Sequence, residues 1–384
     1  MKAKSKYASD GVGVEEESFF SRYAGELCKA SYKNSPYVHV EDVSEGHFRG
    51  PRPVTFKGLP PGFSIEASTD GIGTKGILID AARSYSDAAY DLIAMTASDI
   101  TRYGGLSLVF VNALDVVSVG EAGDEVNETY KKVMKGLGDV VAQERTVLLK
   151  GETAQMGVCV GSEITESKTK INWSGTMIGA YHKDKMITGN TLAEGQVVIA
   201  LKERGFRCNG ISSVRKALAL KFGLEWWKNP QAAESIKEAA APSVLYDIFL
   251  ATLNGWFSPD FKEEIKIHAI VHLSGGAVRE KFAKDILFPR GLSAVLDGLW
   301  NPPEIMRKCA EWRGISDDEF YESWNGGQGM LLVVDEKDAE FCLKRAGEFF
   351  LQAKIAGRIV HEEHPRVSIT SRLTEGKKVL YARE

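Results

Sequence analysis

The feature that most constrains this sequence is an alternation of strand-like and helix-like apolar runs along its first half. Residues 63–67 alternate like a strand, residues 90–103 carry apolar side chains at helical spacing, and residues 107–114 form a second apolar strand. A helical pattern over residues 125–139 and a strand over residues 147–149 follow. This alternation predicts an α/β or mixed α+β domain, in which polar turns at strand ends are the natural place for a ligand.

The composition is that of a globular protein with room for two domains, since 43% of its 384 residues are hydrophobic and 26% are charged. Before the first strand we expect only a polar leader rich in turns. The pattern relaxes near residues 183–195, so we predict an amino-terminal domain over residues 1–187 and a carboxy-terminal α/β domain over residues 188–384. The second half is predicted to contain helices over residues 212–222 and 337–353, a strand followed by a turn over residues 267–276, and a strand over residues 330–334.

The charge and the cysteines exclude several classes of protein. A net charge of -4, with basic residues scattered along the chain, predicts no nucleic-acid partner. No apolar run approaches the roughly 20 residues that a membrane helix needs, and the basic start lacks the apolar segment of a signal peptide. The five cysteines form no C-x-x-C pair, which argues against a disulfide framework or a zinc site. We therefore expect a cytoplasmic protein.

Residues 68–75, Ser-Thr-Asp-Gly-Ile-Gly-Thr-Lys, follow the first strand and are suited to bind a phosphate and its metal. Gly71 and Gly73 let the backbone approach phosphate oxygens, Asp70 is a ligand for magnesium, and Lys75 neutralises a phosphoryl group. A tight turn capped by Asp70 and solvated by Lys75 also fits the string. The chain has neither a Walker A loop nor a G-x-G-x-x-G fingerprint, so a different phosphate-binding architecture is required.

Two further acidic residues occur near the ends of predicted elements. Asp99 lies late in the helix predicted over residues 90–103, and Glu152 follows the strand predicted over residues 147–149. With Asp70 they form a three-carboxylate set of the kind that holds magnesium on nucleotide phosphates. Each acid alone also fits a helix or turn cap. Their position in strings rich in glycine, serine and threonine favours the metal interpretation.

Three glycine-rich strings mark the second half. Residues 205–212 are predicted to form a loop that leads into a helix capped by Ser212, and Arg207 in this loop is suited to bind a phosphate or a carboxylate. Residues 272–276 follow an apolar strand, and residues 324–330 precede another. Both strings fit turns that cradle an anion, and both also fit plain glycine turns between strands.

The order of these strings resembles the aminoimidazole ribonucleotide synthetase family, also called phosphoribosylformylglycinamidine cyclo-ligases. The strings that carry the resemblance are residues 68–75, 91–95, 98–99, 151–154, 209–210, 272–276 and 325–330. The strings before residue 155 are shared with other ATP users of a superfamily, whereas the later ones favour the cyclo-ligase. This chain has Phe206-Arg207-Cys208 where the family has Pro-His-Ser, and Val244 where it has arginine. Arg207 is expected to replace one of these positive charges.

The resemblance implies an ATP-dependent ligase that converts formylglycinamidine ribonucleotide into aminoimidazole ribonucleotide in de novo purine biosynthesis. It implies ATP and Mg²⁺ as cofactors. It also implies a mixed α/β fold of two domains and a homodimer. The first domain would dimerise through its sheet, and the second would be an α/β sandwich. The alternatives are a related ATP-dependent enzyme acting on another amide or amine, and a non-catalytic nucleotide-binding paralogue.

The resemblance also implies roles for residues of the matching strings. Asp70, Lys75 and Asn209 are expected to act in catalysis, and Asp70, Asp99 and Glu152 to bind the metal. The residues expected to bind ATP are Gly71, Gly73, Thr74, Lys75, Gly151 and Thr153. The residues expected to bind the ribonucleotide are Arg207, Asn209, Ser274, Gly275, Gly276 and Asn325.

Overall fold

The computed structural model describes residues 14–43, 50–274, 276 and 278–383. The chain divides into two compact units. The first comprises the described part of Met1–Ile100 together with Ser107–Ala180, and the second comprises Thr101–Leu106 with the described part of Tyr181–Glu384. Each unit combines a sheet with helices, so the predicted mixed α/β fold of two domains is confirmed. Within the described ranges, no helix has both the length and the apolar character needed to cross a membrane.

The first half of the chain is organised around a four-stranded sheet. Its helices are α1 (Val14–Ser31), α2 (Lys75–Ala82), α3 (Ala88–Thr101) and α4 (Glu125–Gln143). Its strands are β1 (Val38–Val40), β2 (Val54–Phe56), β3 (Ser64–Gly71), β4 (Leu106–Val116), β5 (Val147–Gln155) and β6 (Ile171–Tyr181). The sheet has the order β3-β6-β4-β5, with β4 and β5 parallel, while β1 and β2 form a separate antiparallel pair. Strands β3 and β5 are therefore the two edges of the sheet.

The prediction of a leader without secondary structure was wrong, because α1, β1 and β2 all lie before residue 63. Phe20 is completely buried, and its ring packs edge-to-face with that of Tyr130 on α4, with 6.4 Å between the ring centroids. Ser31 Oγ donates to the Cys28 carbonyl at 2.7 Å and accepts a hydrogen bond of 2.9 Å from the N–H of Leu148 on β5. Only one narrow stripe of α1 is apolar, so packing against α4 and β5, rather than the local sequence, stabilises this helix.

The second half contains a seven-stranded sheet and shorter helices. Its helices are α5 (Ile211–Phe222), α6 (Ala233–Ala239), α7 (Asp247–Leu253), α8 (Glu304–Arg313), α9 (Asp317–Ser323) and α10 (Ala339–Glu348), with a π-helical segment over Val278–Leu287. Its strands are β7 (Val197–Lys202), β8 (Ile267–His272), β9 (Ser293–Leu296), β10 (Gln328–Val334), β11 (Ala353–Val360), β12 (Arg366–Thr370) and β13 (Lys378–Ala382). The order is β13-β12-β9-β11-β7-β10-β8, and only β12 and β9 pair in parallel among the described registers.

Among the helix boundaries that differ from the predicted ones, two have a clear backbone cause. Helix α5 begins at Ile211, and its N-cap is Gly210, with a φ of 67°, rather than Ser212. The helix predicted over residues 337–353 ends at Glu348, because Phe350 adopts a positive φ of 57° and the chain enters β11 at residue 353. The apolar run that suggested one long helix is therefore divided between a helix and a strand.

Candidate functional site

The first glycine-rich string begins on β3, which ends at Gly71, and continues through a loop of residues 72–74 to the start of α2. Oδ1 of Asp70 accepts a hydrogen bond of 2.7 Å from the N–H of Gly71. A Cβ atom at Gly71 would lie 2.9 Å from the carbonyl oxygen of Trp173 on β6, so only glycine fits at this point of the sheet. Gly73 has a φ of 52°, and both Gly73 and Thr74 are exposed. The loop thus offers its backbone to solvent, which close approach of a phosphate requires.

Lys75 begins α2 and points into the protein. Its Nζ lies 2.7 Å from Oδ1 of Asp91 on α3, and the two side chains are 0% and 1% exposed. A buried ammonium needs such a partner, because desolvation of an uncompensated charge is costly. Asp91 is therefore a residue of this site to which sequence reasoning gave no role. An acid in the first turn of an otherwise apolar helix was the available signal.

Two of the strings occupy one row across the four-stranded sheet. On the β3 side, the N–H of Ile72 donates to Trp173 O at 3.1 Å, and Trp173 Nε1 donates to Asn112 Oδ1 on β4 at 3.0 Å. Asn112 is in register with Gly151 on β5, where a Cβ atom would lie 2.7 Å from Asn112 Nδ2. Gly71 and Gly151 are thus three strand spacings apart, roughly 14 Å. The two strings therefore lie at the same level along the strands but on the two opposite edge strands of the sheet.

The three carboxylates expected to bind magnesium are accordingly dispersed. Asp70 and Asp99 are half-buried on β3 and α3, and Glu152 is exposed on β5. Among the residues that the structure describes, no group of three or more His, Cys, Asp or Glu side chains is close enough to hold a metal ion. The carboxylates are the ligands that Mg²⁺ prefers, but a single chain does not bring all three together. Their metal-binding role stays a prediction.

Two cavities of the first unit adjoin these strings. One of about 540 Å³ is lined in part by Gly73, Thr74 and Asp115. Another of about 470 Å³ is lined in part by Arg52 and by Glu152, with Gly151 and Thr153 beside it. Both volumes lie within the range of roughly 300–1,000 Å³ that is usual for small-molecule sites. The string on β3 and the string on β5 therefore each border a cavity large enough for a small-molecule ligand.

In the second unit, sheet topology gathers the three later strings. Strand β10 is antiparallel to both of its neighbours, β7 and β8, so its amino end lies beside their carboxyl ends. The loop after β7 and the turn before β10 are joined by a hydrogen bond of 2.9 Å from Asn325 Nδ2 to Gly205 O. The N–H of Leu273, after β8, donates to Gly329 O at 3.0 Å. We call this edge, formed by residues 205–210, 273–274, 276 and 325–327, the ligand edge.

The predicted substrate residues at the ligand edge differ in exposure. Asn325 is buried, and its Oδ1 accepts a hydrogen bond of 2.8 Å from the N–H of Gly327, so it shapes the turn. Asn209, Ser274 and Gly276 are half-buried. The N–H of Gly276 donates to a backbone carbonyl of α9 at 2.6 Å, while Gly275 lies outside the described residues.

Arg207 is enclosed by the protein. Its side chain is 0% exposed, with NH1 2.9 Å from a carboxylate oxygen of Glu203 and 3.0 Å from Val244 O. The guanidinium also lies over the ring of Tyr246, at 5.6 Å from the centroid. Glu203, in the loop after β7, had no role in the sequence interpretation. Arg207 meets this acid in the structure, so its contact with a substrate stays a prediction.

The chain matches two family models in tandem. The amino-terminal domain of AIR synthase related protein matches residues 58–181, and the carboxy-terminal domain of the same family matches residues 193–370. Phosphoribosylformylglycinamidine cyclo-ligase of Staphylococcus aureus strain JH9 is 31% identical over 306 residues, which cover 79% of this chain and 83% of that protein.

Solved structures share the fold at low sequence identity. Hydrogenase maturation protein HypE in complex with ATP aligns with a TM-score of 0.57 and 14% identity, over 94% of each chain. Thiamine-monophosphate kinase from Stenotrophomonas maltophilia K279a aligns with a TM-score of 0.54 and 13% identity, over 89% of this chain and 94% of the kinase. At such identities the likeness establishes the architecture alone.

Proposed function

This chain belongs to the AIR synthase related family, and we propose that it is an ATP-dependent cyclo-ligase that converts formylglycinamidine ribonucleotide into aminoimidazole ribonucleotide in purine biosynthesis. The observation that carries the proposal is the meeting of three separate strings at the ligand edge, because these are the strings that favour the cyclo-ligase within the superfamily. The 31% identity to a cyclo-ligase, over 79% of the chain, supports the same assignment.

The proposed reaction has two steps. The amide-type oxygen of the substrate first attacks the γ-phosphorus of ATP, which forms an O–P bond and releases ADP. The amidine nitrogen then attacks the carbon that bears this oxygen, loses a proton and closes the imidazole ring, while the C–O bond breaks and phosphate leaves. Phosphorylation is needed because an unmodified amide oxygen is a poor leaving group.

We assign the nucleotide to the strings of the first unit, and the HypE structure of the same fold in complex with ATP supports ATP as that nucleotide. The proposed ATP contacts are Gly71, Gly73, Thr74, Lys75, Gly151 and Thr153. Asp70, Asp99 and Glu152 would hold Mg²⁺, which when bound shields the charge of the phosphates. Asp91 keeps the Lys75 ammonium at a fixed position beneath the loop, and a preorganised cation stabilises charge on a moving phosphoryl group.

We propose that the enzyme is a cytoplasmic homodimer that uses its first unit both for dimerisation and for ATP binding. Strand β3 is an edge strand of eight residues, and Ser64–Ala67 within it are all exposed, including Ile65 at 45%. A long uncovered edge pairs readily with another chain. Because Asp70 and Glu152 lie at opposite edges of one sheet, a second copy at the edge offers a way to complete the metal site.

The test is a product assay with the full-length protein, Mg-ATP and formylglycinamidine ribonucleotide. We expect aminoimidazole ribonucleotide, ADP and inorganic phosphate in equal amounts, since each turnover consumes one ATP. A protein that shows a cooperative thermal transition and binds Mg-ATP, yet forms no aminoimidazole ribonucleotide, contradicts the proposal.

A second candidate is a related ATP-dependent enzyme that acts on another amide or amine. The observation that favours it is the enclosure of Arg207 by Glu203, together with Val244 in place of the family's arginine. ATP hydrolysis stimulated by a different amide or amine would identify this enzyme. A non-catalytic paralogue would instead show only thermal stabilisation by Mg-ATP, of about RT ln(1 + [L]/Kd), without turnover.

A further inference from the structure

We propose that Lys202, Lys354 and Arg372 form a phosphate-binding site around Trp300 in the second unit. We call these four residues the Trp300 cluster, and none of them belongs to the ligand edge. The site takes a phosphate group, either as the free ion or as the ester of a small molecule. The inference does not depend on the proposed function, because it follows from the charges and the geometry of the cluster.

The two lysines of the cluster project from the same face of the seven-stranded sheet. Strands β7 and β11 are antiparallel neighbours, and Lys354 is in register with Ala200, two residues before Lys202. Opposite residues of antiparallel strands point to the same face, and so do residues i and i+2 of one strand. Lys202 and Lys354 are therefore diagonal neighbours on one face. Lys202 is exposed and Lys354 is half-buried, so a ligand in solvent reaches both side chains.

The indole of Trp300 joins the two ammonium groups. Its ring centroid lies 5.1 Å from Lys202 Nζ and 4.6 Å from Lys354 Nζ. The ring is held in place, because its Nε1 donates to Ala200 O at 3.0 Å and the backbone N–H of Trp300 donates to Gln328 Oε1 at 2.5 Å. A cation–π contact orients an ammonium but leaves its charge in place. Both charges thus remain available to an anion.

The loop after β9, which carries Trp300, orients two of the cations through its carbonyl groups. Arg372 NH2 donates to Asp297 O at 2.5 Å, and Lys354 Nζ donates to Leu299 O at 3.0 Å. The loop lies close against β11, since the N–H of Gly298 donates to a backbone carbonyl of that strand at 2.9 Å. A Cβ atom at Gly298 would lie 2.8 Å from another carbonyl oxygen of β11. The cations are therefore arranged by fixed backbone rather than by acidic side chains.

The positive charge of the cluster is uncompensated by acidic groups. Among the residues that the structure describes, no carboxylate oxygen lies within 4.0 Å of the charged nitrogens of Lys202, Lys354 or Arg372. Partial burial lowers the pKa of Lys354, and the neighbouring charges of Arg372 and Lys202 lower it further. Cations that repel one another in this way are stabilised when an anion binds between them.

A phosphate group suits the cluster better than a carboxylate. It carries close to two negative charges at neutral pH and offers three strong acceptor oxygens, whereas a carboxylate carries a single charge. The donors needed for these oxygens are present. An ammonium has three N–H donors and a guanidinium has five, and the contacts with Leu299 O and Asp297 O occupy one donor each of Lys354 and Arg372.

Calorimetric titration of the full-length protein tests the site without turnover. The probes are inorganic phosphate, ribose 5-phosphate and, as a singly charged anion, acetate, all at one ionic strength. We expect Lys354→Met and Arg372→Met each to weaken phosphate binding by about 10- to 100-fold, the effect of one charge-assisted hydrogen bond. Lys344→Met is the matched control, because Lys344 is an exposed lysine on α10, and it should bind as wild type. Of the two phosphates, the tighter ligand shows whether the site takes the free ion or an ester.

Lysine labelling of the wild-type protein supplies a measurement that needs no variant. Acylation by an N-hydroxysuccinimide ester attacks the neutral amine, and mass spectrometry follows each lysine separately. An adjacent anion raises the pKa of an ammonium, so bound phosphate should slow the acylation of Lys354 by about tenfold or more. The acylation rate of Lys344 in the same sample should not change.

Four outcomes would overturn the site. They are wild-type protein that binds no phosphate at millimolar concentration, equal phosphate affinity in Lys354→Met and Lys344→Met, acetate binding as tight as phosphate binding, and acylation of Lys354 that phosphate does not slow. The product assay tests a separate claim. A protein that makes no aminoimidazole ribonucleotide can still bind phosphate through Lys354, and a protein that makes it can fail every test of the cluster.

Discussion

The ammonium of Lys75 lies 2.7 Å from the carboxylate of Asp91, and both side chains are withdrawn from solvent. This pair joins the glycine-rich loop after β3 to α3, the helix that carries Asp99. The lysine that the sequence assigns to a phosphoryl group is thus positioned by an acid 16 residues further along the chain. The pair explains how the end of the first glycine-rich string is fixed against α3, and the first prediction concerns this pair.

Removing one partner of this pair should destabilise the protein strongly. We expect Asp91→Ala to lower the free energy of unfolding by about 3–5 kcal/mol, because the Lys75 charge is left buried and uncompensated. The double variant Lys75→Met/Asp91→Leu should recover much of that loss, since no buried charge remains. Urea denaturation followed by circular dichroism measures both. Asp139→Ala, which removes an exposed pair with Lys135 on α4, is the control and should have little effect.

Asp70→Asn should weaken Mg²⁺-dependent ATP binding while the fold stays intact. The asparagine oxygen still accepts the hydrogen bond from the N–H of Gly71, but the amide is a poorer magnesium ligand than a carboxylate. Calorimetric titration with ATP, with and without Mg²⁺, measures the effect. Asp139→Asn on α4 is the matched control, because it makes the same change of charge at a site away from the loop. Equal Mg-ATP affinity in the two variants would refute the metal role of Asp70.

Gly71→Ala should destabilise the first unit by about 1–3 kcal/mol, because its Cβ would press on a backbone oxygen that cannot rotate away. That oxygen, Trp173 O, would be 2.9 Å from the new atom. Gly161→Ala is a matched control, since a Cβ at Gly161 meets nothing within 4 Å, and its effect should be within about 0.5 kcal/mol. Thermal unfolding of the two variants under one buffer condition compares them. Equal midpoints would show that the sheet tolerates a side chain at Gly71.

Asp247 should make the second unit less stable as the pH rises through the weakly acidic range. Burial raises the pKa of its carboxyl from 3.8 to about 6, although a hydrogen bond from the Thr101 hydroxyl and the nearby Arg207 charge act to lower it. The folded pKa exceeds the unfolded one, so the native state binds more protons between these values. The contribution of Asp247 to the free energy of unfolding is fully present below about pH 4 and is lost as the pH rises through about 6.

The loss at neutral pH grows with the difference between the folded and unfolded pKa values of the Asp247 carboxyl, at about 1.36 kcal/mol per pKa unit. Asp247→Asn removes the titration and still accepts the hydrogen bond from Thr101. We therefore expect the variant to gain stability over wild type as pH rises from 4 to 7, as measured by urea denaturation across that range. A difference that does not change with pH would contradict the shifted titration of Asp247.

Ile65→Lys should prevent the proposed dimer. A lysine on β3 opposes edge-to-edge pairing because it would place a charge where another strand must approach. Ile65 is 45% exposed, so the monomer should tolerate the change. Light scattering after size-exclusion chromatography gives the mass of each form. A wild-type monomer, or a variant that stays dimeric, would contradict pairing through this edge.

Local sequence determined much of the fold. The period-2 and helical patterns in residues 63–149 predicted β3, α3, β4, α4 and β5. Strands β4 and β5 and helices α3 and α4 have strongly buried apolar residues, whereas β3 keeps its alternation although Ser64–Ala67 are exposed. Helix α1 was not predicted, because its apolar stripe is too narrow to give a clear helical pattern and because contacts with distant residues stabilise it. The single long helix expected over residues 337–353 failed because the apolar pattern does not reveal the positive φ at Phe350.

The order of glycine-rich strings, by itself, determined the family to which this chain belongs, because each string needs particular residues at close spacing. Only the tertiary structure decided which strings meet. Strand order placed Gly71 and Gly151 at opposite edges of one sheet and gathered Gly205, Ser274 and Asn325 at one edge of the other. It also buried Lys75 against Asp91 and Arg207 against Glu203. Lys75 and Asp91 lie on separate helices, 16 residues apart, so local spacing does not reveal their pairing. Glu203 and Arg207 are only four residues apart, but the groups that enclose them, Val244 and Tyr246, come from a distant segment of the chain.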